Sequence, residues 1–363
     1  MLPFLREHFG NPSSAHGYGR IAREAVARAR SEVACLLGCE ADEIIFTSGG
    51  TEASNLAIRG SRKGDRRRLV TSVIEHPATS EPVASLERQG YQVVRLGVDA
   101  SGQVATRELA AAIDESTALV SLMHSNNETG TMQPVREAAV AARRVSALIH
   151  TDAAQSVGKV AVDVRDLGVD LLSVVGHKFY APKGVGALYV RRGVRIDPLM
   201  LGGGHEYGIR PGTENVASIV GLGAACAIAR RDLECESARV RALRDRLLAL
   251  LSAAIPKLAL NGHSTERLPN TLNVRFPDVS ATALLSRATG IAASTGAACH
   301  AGTETPSGTL LAMGIGDAEA LGSVRLSLGR ATSLEAIERA ADELAVAWRL
   351  LVAGNERRLQ VEN

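Results

Sequence analysis

No apolar stretch in this sequence approaches the roughly 20 residues needed to cross a bilayer, and no signal peptide opens it. A soluble, cytoplasmic protein with no membrane partner is therefore expected. Cysteine is scarce, with five in 363 residues, which argues against a disulfide framework. Cys35, Cys39, Cys226 and Cys235 form no CxxC pair and have no histidine at zinc spacing, so no metal site is expected and all four read as core filler. An excess of one charge is missing too. The net charge of +2 gives no reason to expect nucleic acid as the main partner. The one basic run, Arg62 to Arg68, reads as a solvated loop. Internal repeats and low-complexity tails are absent. Lysine is the most telling scarcity, because only Lys63, Lys159, Lys178, Lys183 and Lys257 occur.

Lys178 stands in Gly176-His177-Lys178, directly after the apolar run Val169 to Val175. That run reads as a buried strand ending in a glycine turn. A lysine at the mouth of such a strand is costly unless it has a task, and a desolvated neutral amine condenses with aldehydes. The bland alternative is a surface-loop lysine. Asp152, in Asp152-Ala153-Ala154-Gln155, ends another apolar strand. An aspartate and a lysine so placed are the pair a pyridoxal phosphate (PLP) site requires, with the carboxylate keeping the pyridinium nitrogen protonated. Thr47-Ser48-Gly49-Gly50-Thr51-Glu52-Ala53 joins a strand to a helix, and such a helix N-terminus accepts a phosphate. Taken alone, two glycines in such a turn are weak support. Gln155 is positioned to bond the ring's phenolic oxygen. His76, in Ile74-Glu75-His76-Pro77, is suited to stack on the ring and move protons. Its alternative is a plain loop histidine. Asn127, in Asn126-Asn127-Glu128-Thr129-Gly130, reads either as part of a turn or as a contact to the ring oxygen or a substrate carboxylate. Arg325 lies within the apolar run Val324 to Leu328 and suggests bidentate carboxylate recognition, unless it faces solvent on an edge strand. Cys299 differs from the other cysteines. It sits in the small, flexible run Ser294 to Gly302, which would let a thiol reach into a cleft.

The spacing predicts a first helix capped by Ser13 or Ser14 and closed by Gly38. Short apolar strands then alternate with helical stretches at Glu43–Thr47, Leu69–Val73, Gln92–Leu96, Ala118–Met123, Ala147–His150, Leu171–Val175 and Gly186–Val190. This is an α/β pattern around a mainly parallel sheet, in which ligands bind at the carboxyl ends of strands. A long helix, Val216 to Ala253, leads to a smaller α+β domain. That domain has strands at Thr271–Arg275, Ile291–Ala293 and Ser323–Leu328, with a terminal helix from Leu334. The expected division is a large domain over 13–234 and a small one over 235–363, with residues 1–12 packing on the small one.

Taken together, these segments resemble the cysteine desulfurase/selenocysteine lyase family, within the class V aminotransferases of PLP-dependent transferase fold type I. The resemblance runs from Gly10-Asn11-Pro12-Ser13-Ser14 to Arg330. It includes Arg210-Pro211-Gly212-Thr213-Glu214-Asn215 and Gly296–Cys299. It implies a seven-stranded, mainly parallel sheet. It makes Lys178 the Schiff-base lysine and Cys299 the persulfide-forming cysteine. Gly50, Thr51 and His177 become phosphate-site residues, and Thr213 reaches the neighbouring subunit's phosphate in a homodimer. The implied reaction converts L-cysteine to L-alanine, and the sulfur passes to an acceptor protein for iron–sulfur clusters or thiolation.

Two features depart from the commonest pattern. Val175 stands where housekeeping desulfurases often have serine, and there, as in the Ala297-Ala298-Cys299-His300 run, the chain resembles selenocysteine lyases. L-selenocysteine is therefore the alternative substrate, although Pro306 follows Cys299 at a spacing typical of long-loop desulfurases. The family usually opens with an Asn-Ala-Thr-Thr strand, and this sequence begins Met1-Leu2-Pro3-Phe4. An ordinary class V transaminase and a non-catalytic scaffold are the remaining alternatives.

Overall fold

Seven strands make one sheet in the first of two compact units, Met1–Gly97, Val104–Ser125 and Gln133–Leu233. The computed structural model describes residues 1–61, 64–295, 298–300 and 303–361, with side chains throughout these except at 298–300, 303–304 and 355–361. The strands are β1 (Ile44–Thr47), β2 (Arg68–Ser72), β3 (Gln92–Leu96), β4 (Thr117–Ser121), β5 (Leu148–Asp152), β6 (Leu171–Val175) and β7 (Gly186–Val190). Their order is β1-β7-β6-β5-β4-β2-β3. Strands β2 to β6 pair in parallel, while β7 runs antiparallel to both β6 and β1. Two antiparallel steps leave β1 parallel to β6. The carboxyl ends of β1, β6, β5, β4 and β2 therefore open on one edge. Every residue of β5 and β6 is buried, as expected for strands covered on both faces.

The helices of this unit are α1 (Leu2–Arg6), α2 (Gly17–Leu37), α3 (Gly50–Gly60), α4 (Pro77–Arg88), α5 (Thr106–Ala112), α6 (Val135–Arg144) and α7 (Val164–Leu167). Side chains from both layers close the core, among them Leu56, Val83, Leu119, Leu148 and Leu171. Helix α2 ends on Gly38 at φ 70°, whose N–H returns to the Ala34 carbonyl. Its N-cap is His16, whose Nδ1 accepts from the Gly19 N–H, and not Ser13 or Ser14. Those serines belong to the preceding turn, where the Ser13 N–H bonds the Asn11 side chain.

Helix α8 (Val216–Ala254) runs from this unit into the second, which comprises Val98–Gln103, Asn126–Met132 and Glu234–Asn363. Residues 1–12 group with the large unit, contrary to expectation. Met1 Sδ lies against Gly221, and Gly10 is pressed onto the Tyr18 backbone, so local packing holds them there. The inserts 98–103 and 126–132 were likewise not expected in the small unit. They join it through contacts such as Gly102 against Met313 and Gly130 against Thr271.

The second unit has a four-stranded antiparallel sheet of β8 (Ala259–Asn261), β9 (Thr271–Arg275), β10 (Ser294–Thr295) and, after the short pair β11 (Ala298–His300) and β12 (Thr303–Thr305), β13 (Ser323–Ser327). Its order is β10-β13-β9-β8. Helices α9 (Ala281–Arg287), α10 (Gly308–Ala312), α11 (Asp317–Leu321) and α12 (Leu334–Val361) complete it. Leu251, Leu272, Val324, Leu284 and Leu344 fill its core. The strand expected at Ile291–Ala293 lies at Ser294–Thr295, because pairing of Ser294 with Arg325 sets its register. Among the described residues, no helix is long and apolar enough to cross a membrane, and no cluster of side chains could hold a metal ion. Of the cysteines read as core filler, Cys226 is buried, but Cys35 and Cys235 are exposed on outward faces of α2 and α8.

Candidate functional site

Four strand ends, those of β1, β2, β5 and β6, supply the sequence-predicted groups of the large unit other than Thr213. Strand β1 leads through Gly49, at φ 151°, into α3, whose first turn carries Gly50 and Thr51. The N–H groups of that turn have no helical acceptors. A Cβ on Gly50 would lie 2.3 Å from Val175 Cγ2, so only glycine lets the turn sit this close to the end of β6. Glu52 fixes the turn from behind, accepting the Ser48 N–H (2.6 Å) and Arg210 Nε (2.8 Å). Burial works against the Glu52 charge, but Arg210 and Ser48 outweigh it and hold the carboxyl below its ordinary range.

Strand β5 ends on Asp152, which is buried, and its Oδ1 accepts the Ala154 N–H at 2.9 Å. Burial pushes this carboxyl up. The Ala154 amide and the electrostatic influence of His76 and Lys178 pull the other way. These interactions place Asp152, His76 and Lys178 within one electrostatic neighbourhood. His76 caps α4, with Nδ1 accepting the Ala78 N–H at 3.1 Å, which leaves Nε2 as its outward nitrogen. Gln155 Oε1 accepts Lys159 Nζ at 3.0 Å, so the amide nitrogen is directed elsewhere.

Lys178 and His177 stand in the 3₁₀ turn that follows β6, and both are exposed. The desolvated lysine expected from the sequence is thus corrected. The turn carries the side chain past the buried strand to the open rim. Thr213 is also exposed. The segment leading to it is tied down by the Gly212 N–H to His205 Nδ1 (3.2 Å) and by a buried ion pair, Arg30 with Glu206 (2.6 Å). Glu206 also accepts the Phe46 N–H at 2.7 Å, and the Arg30 guanidinium stacks on Phe46 and Tyr207.

Three buried groups behind this edge escaped the sequence reading. His150 Nδ1 meets Ser121 Oγ at 2.8 Å, its Nε2 meets Ser173 Oγ at 2.9 Å, and Ser173 meets Ser54 of α3 at 3.0 Å. A hydrogen-bonded chain thus crosses β4, β5 and β6 and fastens α3 to the sheet. Burial pushes His150 down to about 3 and His124 down to about 4, so both are neutral. His124 bonds Ser156 Oγ at 2.7 Å in the turn after Asp152. Glu75 is buried beside His76, and burial lifts its carboxyl to about 8. Only the last had a sequence signal, its place in the Glu75-His76 motif; a histidine or serine inside an apolar strand looks like filler.

In the small unit, Arg325 lies on β13, an interior strand, which rules out the edge-strand alternative. Its Nη1 donates to the Asn127 carbonyl (3.0 Å) and its Nη2 to Ser294 Oγ (3.1 Å). Asn127 and Arg325 are therefore in contact. The run expected to be a flexible loop has backbone pairing, with Cys299 opposite Glu304 in the β11–β12 ladder. The Cys299 side chain and residues Gly296 and Ala297 lie outside the described residues.

Comparison with known proteins agrees on kinship. The family profile for Aminotransferase class-V matches residues 1–340. Cysteine desulfurase IscS of Methanosarcina thermophila is 46% identical over 344 residues, spanning 93% of this chain and 85% of the relative. Cysteine desulfurase NifS of Azotobacter vinelandii is 45% identical over 349 residues, spanning 95% and 87%. Among solved structures, one described as a NifS-like protein superposes with a TM-score of 0.90 at 36% identity, covering 96% of this chain and 94% of that one. Another, described as SspA in complex with cysteine, has a TM-score of 0.79 at 36% identity, covering 90% and 92%.

Proposed function

Because this chain belongs to the class-V aminotransferase family and its relatives there are cysteine desulfurases, we propose that it converts L-cysteine to L-alanine and receives the sulfur on Cys299 as a persulfide. The protein is a cysteine desulfurase. One observation carries the chemistry. A buried aspartate ends β5, and its carboxyl feels both His76 and Lys178 electrostatically, on the edge where α3 presents its N-terminus.

The residues fit PLP. Gly49 and Gly50 admit a phosphate to the unpaired amides of α3, with Thr51 and His177 beside it. Burial and the charges of Lys178 and Lys183 both push His177 down from its ordinary value. Lys178 would hold the cofactor, Asp152 its ring nitrogen, Gln155 Nε2 its phenolic oxygen and His76 its face. When bound, the cofactor supplies an electron sink for the carbanion at the substrate Cα.

The protein's own groups do the rest. Arg325 and Asn127 bind the substrate carboxylate. Lys178 removes the Cα proton, and His76 Nε2 is the group available to move protons to and from the substrate. The Cys299 thiolate attacks the substrate sulfur. A sulfur–sulfur bond forms, the carbon–sulfur bond breaks with its electron pair left on carbon, and protons restore alanine. Cys299 then passes its outer sulfur to an acceptor protein, for iron–sulfur cluster assembly or thiolation in the cytoplasm. Thr213 serves the phosphate site of a second copy, which makes the working form a homodimer.

Purified protein given L-cysteine releases alanine and acquires sulfane sulfur on Cys299. Turnover by Cys299→Ala at the parent rate would remove the persulfide step. A large preference for L-selenocysteine in direct competition would reassign the substrate.

A further inference from the structure

The turn Asn126–Gly130 holds itself together. Asn126 Oδ1 accepts the N–H groups of Glu128 (2.8 Å) and Thr129 (3.0 Å), and the Gly130 N–H returns to the Asn126 carbonyl (3.0 Å). The Glu128 side chain takes no part in this. Its carboxylate reaches the start of α10 instead, where Oε2 accepts Ser307 Oγ (2.5 Å) and Oε1 accepts Thr309 Oγ1 (3.0 Å). Ser307 is the N-cap of α10 and accepts the Leu310 N–H, so Glu128 fixes the direction of its hydroxyl hydrogen.

The other end of the same segment is tied to the same turn. Ser294, in β10, accepts from Arg325, and Arg325 donates to the Asn127 carbonyl. Residues just before and just after the β11–β12 pair thus meet adjacent residues of one turn. One tie runs through a carbonyl and an arginine, the other through a carboxylate and two hydroxyls. Both carboxylate oxygens are used, and hydrogen bonds to an ionised acceptor are about twice as strong as neutral ones.

We propose that Glu128 is a positioning residue that clamps the carboxyl-side stem of the Cys299 hairpin to the turn bearing Asn127, and so sets where the thiol is delivered. The delivery half rests on the reading of Cys299 as sulfur acceptor; the clamp does not. Displacing a reacting group by about 1 Å can cost two orders of magnitude in rate. A loosened stem therefore lowers kcat while cysteine binding persists.

Glu128→Ala and the double variant Ser307→Ala/Thr309→Val remove opposite halves of the clamp, and Glu128→Gln keeps one acceptor oxygen. Hydrogen exchange of the apoprotein over residues 303–312 should rise about tenfold in the first two and less in the third. With cofactor, kcat for alanine release should fall about tenfold or more, with KM for cysteine within twofold and an unchanged visible cofactor spectrum. Unchanged exchange in both clamp variants overturns the clamp. Faster exchange with parental kcat overturns its role in delivery. Should Cys299→Ala prove fully active, the sulfur-acceptor reading fails, while the exchange data still decide the clamp.

Discussion

Glu75 and Met123 are joined by a hydrogen bond in which Oε1 of the buried carboxyl group accepts the backbone N–H at 3.0 Å. Ser72 Oγ donates to the same oxygen at 2.6 Å, while Oε2 is buried with no partner among the described residues. Burial lifts this carboxyl from its ordinary 4.5 to about 8, against the two hydrogen bonds, with the nearby Asp152 charge adding to the rise. At neutral pH the acid is protonated, and Asp152 is spared a second negative charge next to it.

Such a group binds more protons in the folded state than in the unfolded one between these two values. Its stabilising contribution is complete below about 4.5 and is lost as pH rises through about 8. Glu75→Gln keeps the uncharged shape. Its stability advantage over the parent should grow across that window to a few kcal/mol, on the order of 1.4 kcal/mol per pKa unit. Urea melts of the apoprotein at pH 5, 7 and 8.5 measure this; parallel profiles for parent and variant refute it.

His150 produces the opposite slope. It and His124 are neutral in the fold, pushed from 6.5 to about 3 and about 4 by burial. Unfolding lets both take up protons, so the stability they confer is whole above 6.5 and drains away as pH falls toward those values. His150→Ala should flatten that acid limb. It should also cost about 2–4 kcal/mol at pH 7, because Ser121 and Ser173 lose their partner and a cavity opens. Thermal melts of the apoprotein between pH 4 and 7 give both quantities, and an equally steep acid limb in the variant would contradict the assignment.

Continuous apolar runs made the sheet legible. Leu171–Val175 and Gly186–Val190 are strands with the bounds read from the sequence, because both faces of each are buried. The positions of Asp152, ending β5, and Lys178, in the turn after β6, were legible for a related reason: a charged group at the end of a buried strand sits at the sheet's open edge. What stayed hidden depends on distant partners. The pairing of β10 is dictated by Arg325, not by its own two residues. Strand β8 (Ala259–Asn261) is too short and too weakly apolar to announce itself. The exposure of Lys178 follows from the turn after β6, where burial of the strand had suggested desolvation. Glu206 meets an arginine 176 positions away, and no local pattern marks such a pair.

The ion pair of Arg30 and Glu206, buried at the carboxylate and 12% exposed at the arginine side chain, makes two parallel hydrogen bonds, 2.8 and 2.6 Å. It also holds Glu206 and Tyr207 at φ 47° and 58°, where residues with a Cβ are strained. Arg30→Met leaves the Glu206 carboxylate buried with, among the described residues, the Phe46 N–H as its remaining partner. The loss should be about 3–5 kcal/mol. The double variant Arg30→Met/Glu206→Gln should recover much of it, since no uncompensated charge remains. Denaturant midpoints of the two variants compare these directly, and equal midpoints would contradict the buried-charge account.

Variants of Arg325 test the proposed grip on the substrate carboxylate and whether shape or charge matters there. Its two Nη atoms serve Asn127 and Ser294, and Nε is buried without a partner among the described residues. The fork is thus braced by the protein, and the second hydrogen of each Nη remains for a ligand. Arg325→Lys keeps the positive charge but cannot brace two sites and grip a carboxylate together. KM for L-cysteine should rise about tenfold or more, the worth of one charge-assisted hydrogen bond or two. The kcat at saturation should fall much less, because the proposed mechanism gives the proton transfers to Lys178 and His76. Arg325→Met should raise KM further. If the lysine variant binds cysteine as well as the parent does, charge alone suffices and the bidentate grip is wrong. If kcat collapses with KM unchanged, Arg325 acts on the brace to Ser294 and the Cys299 segment instead of on the substrate.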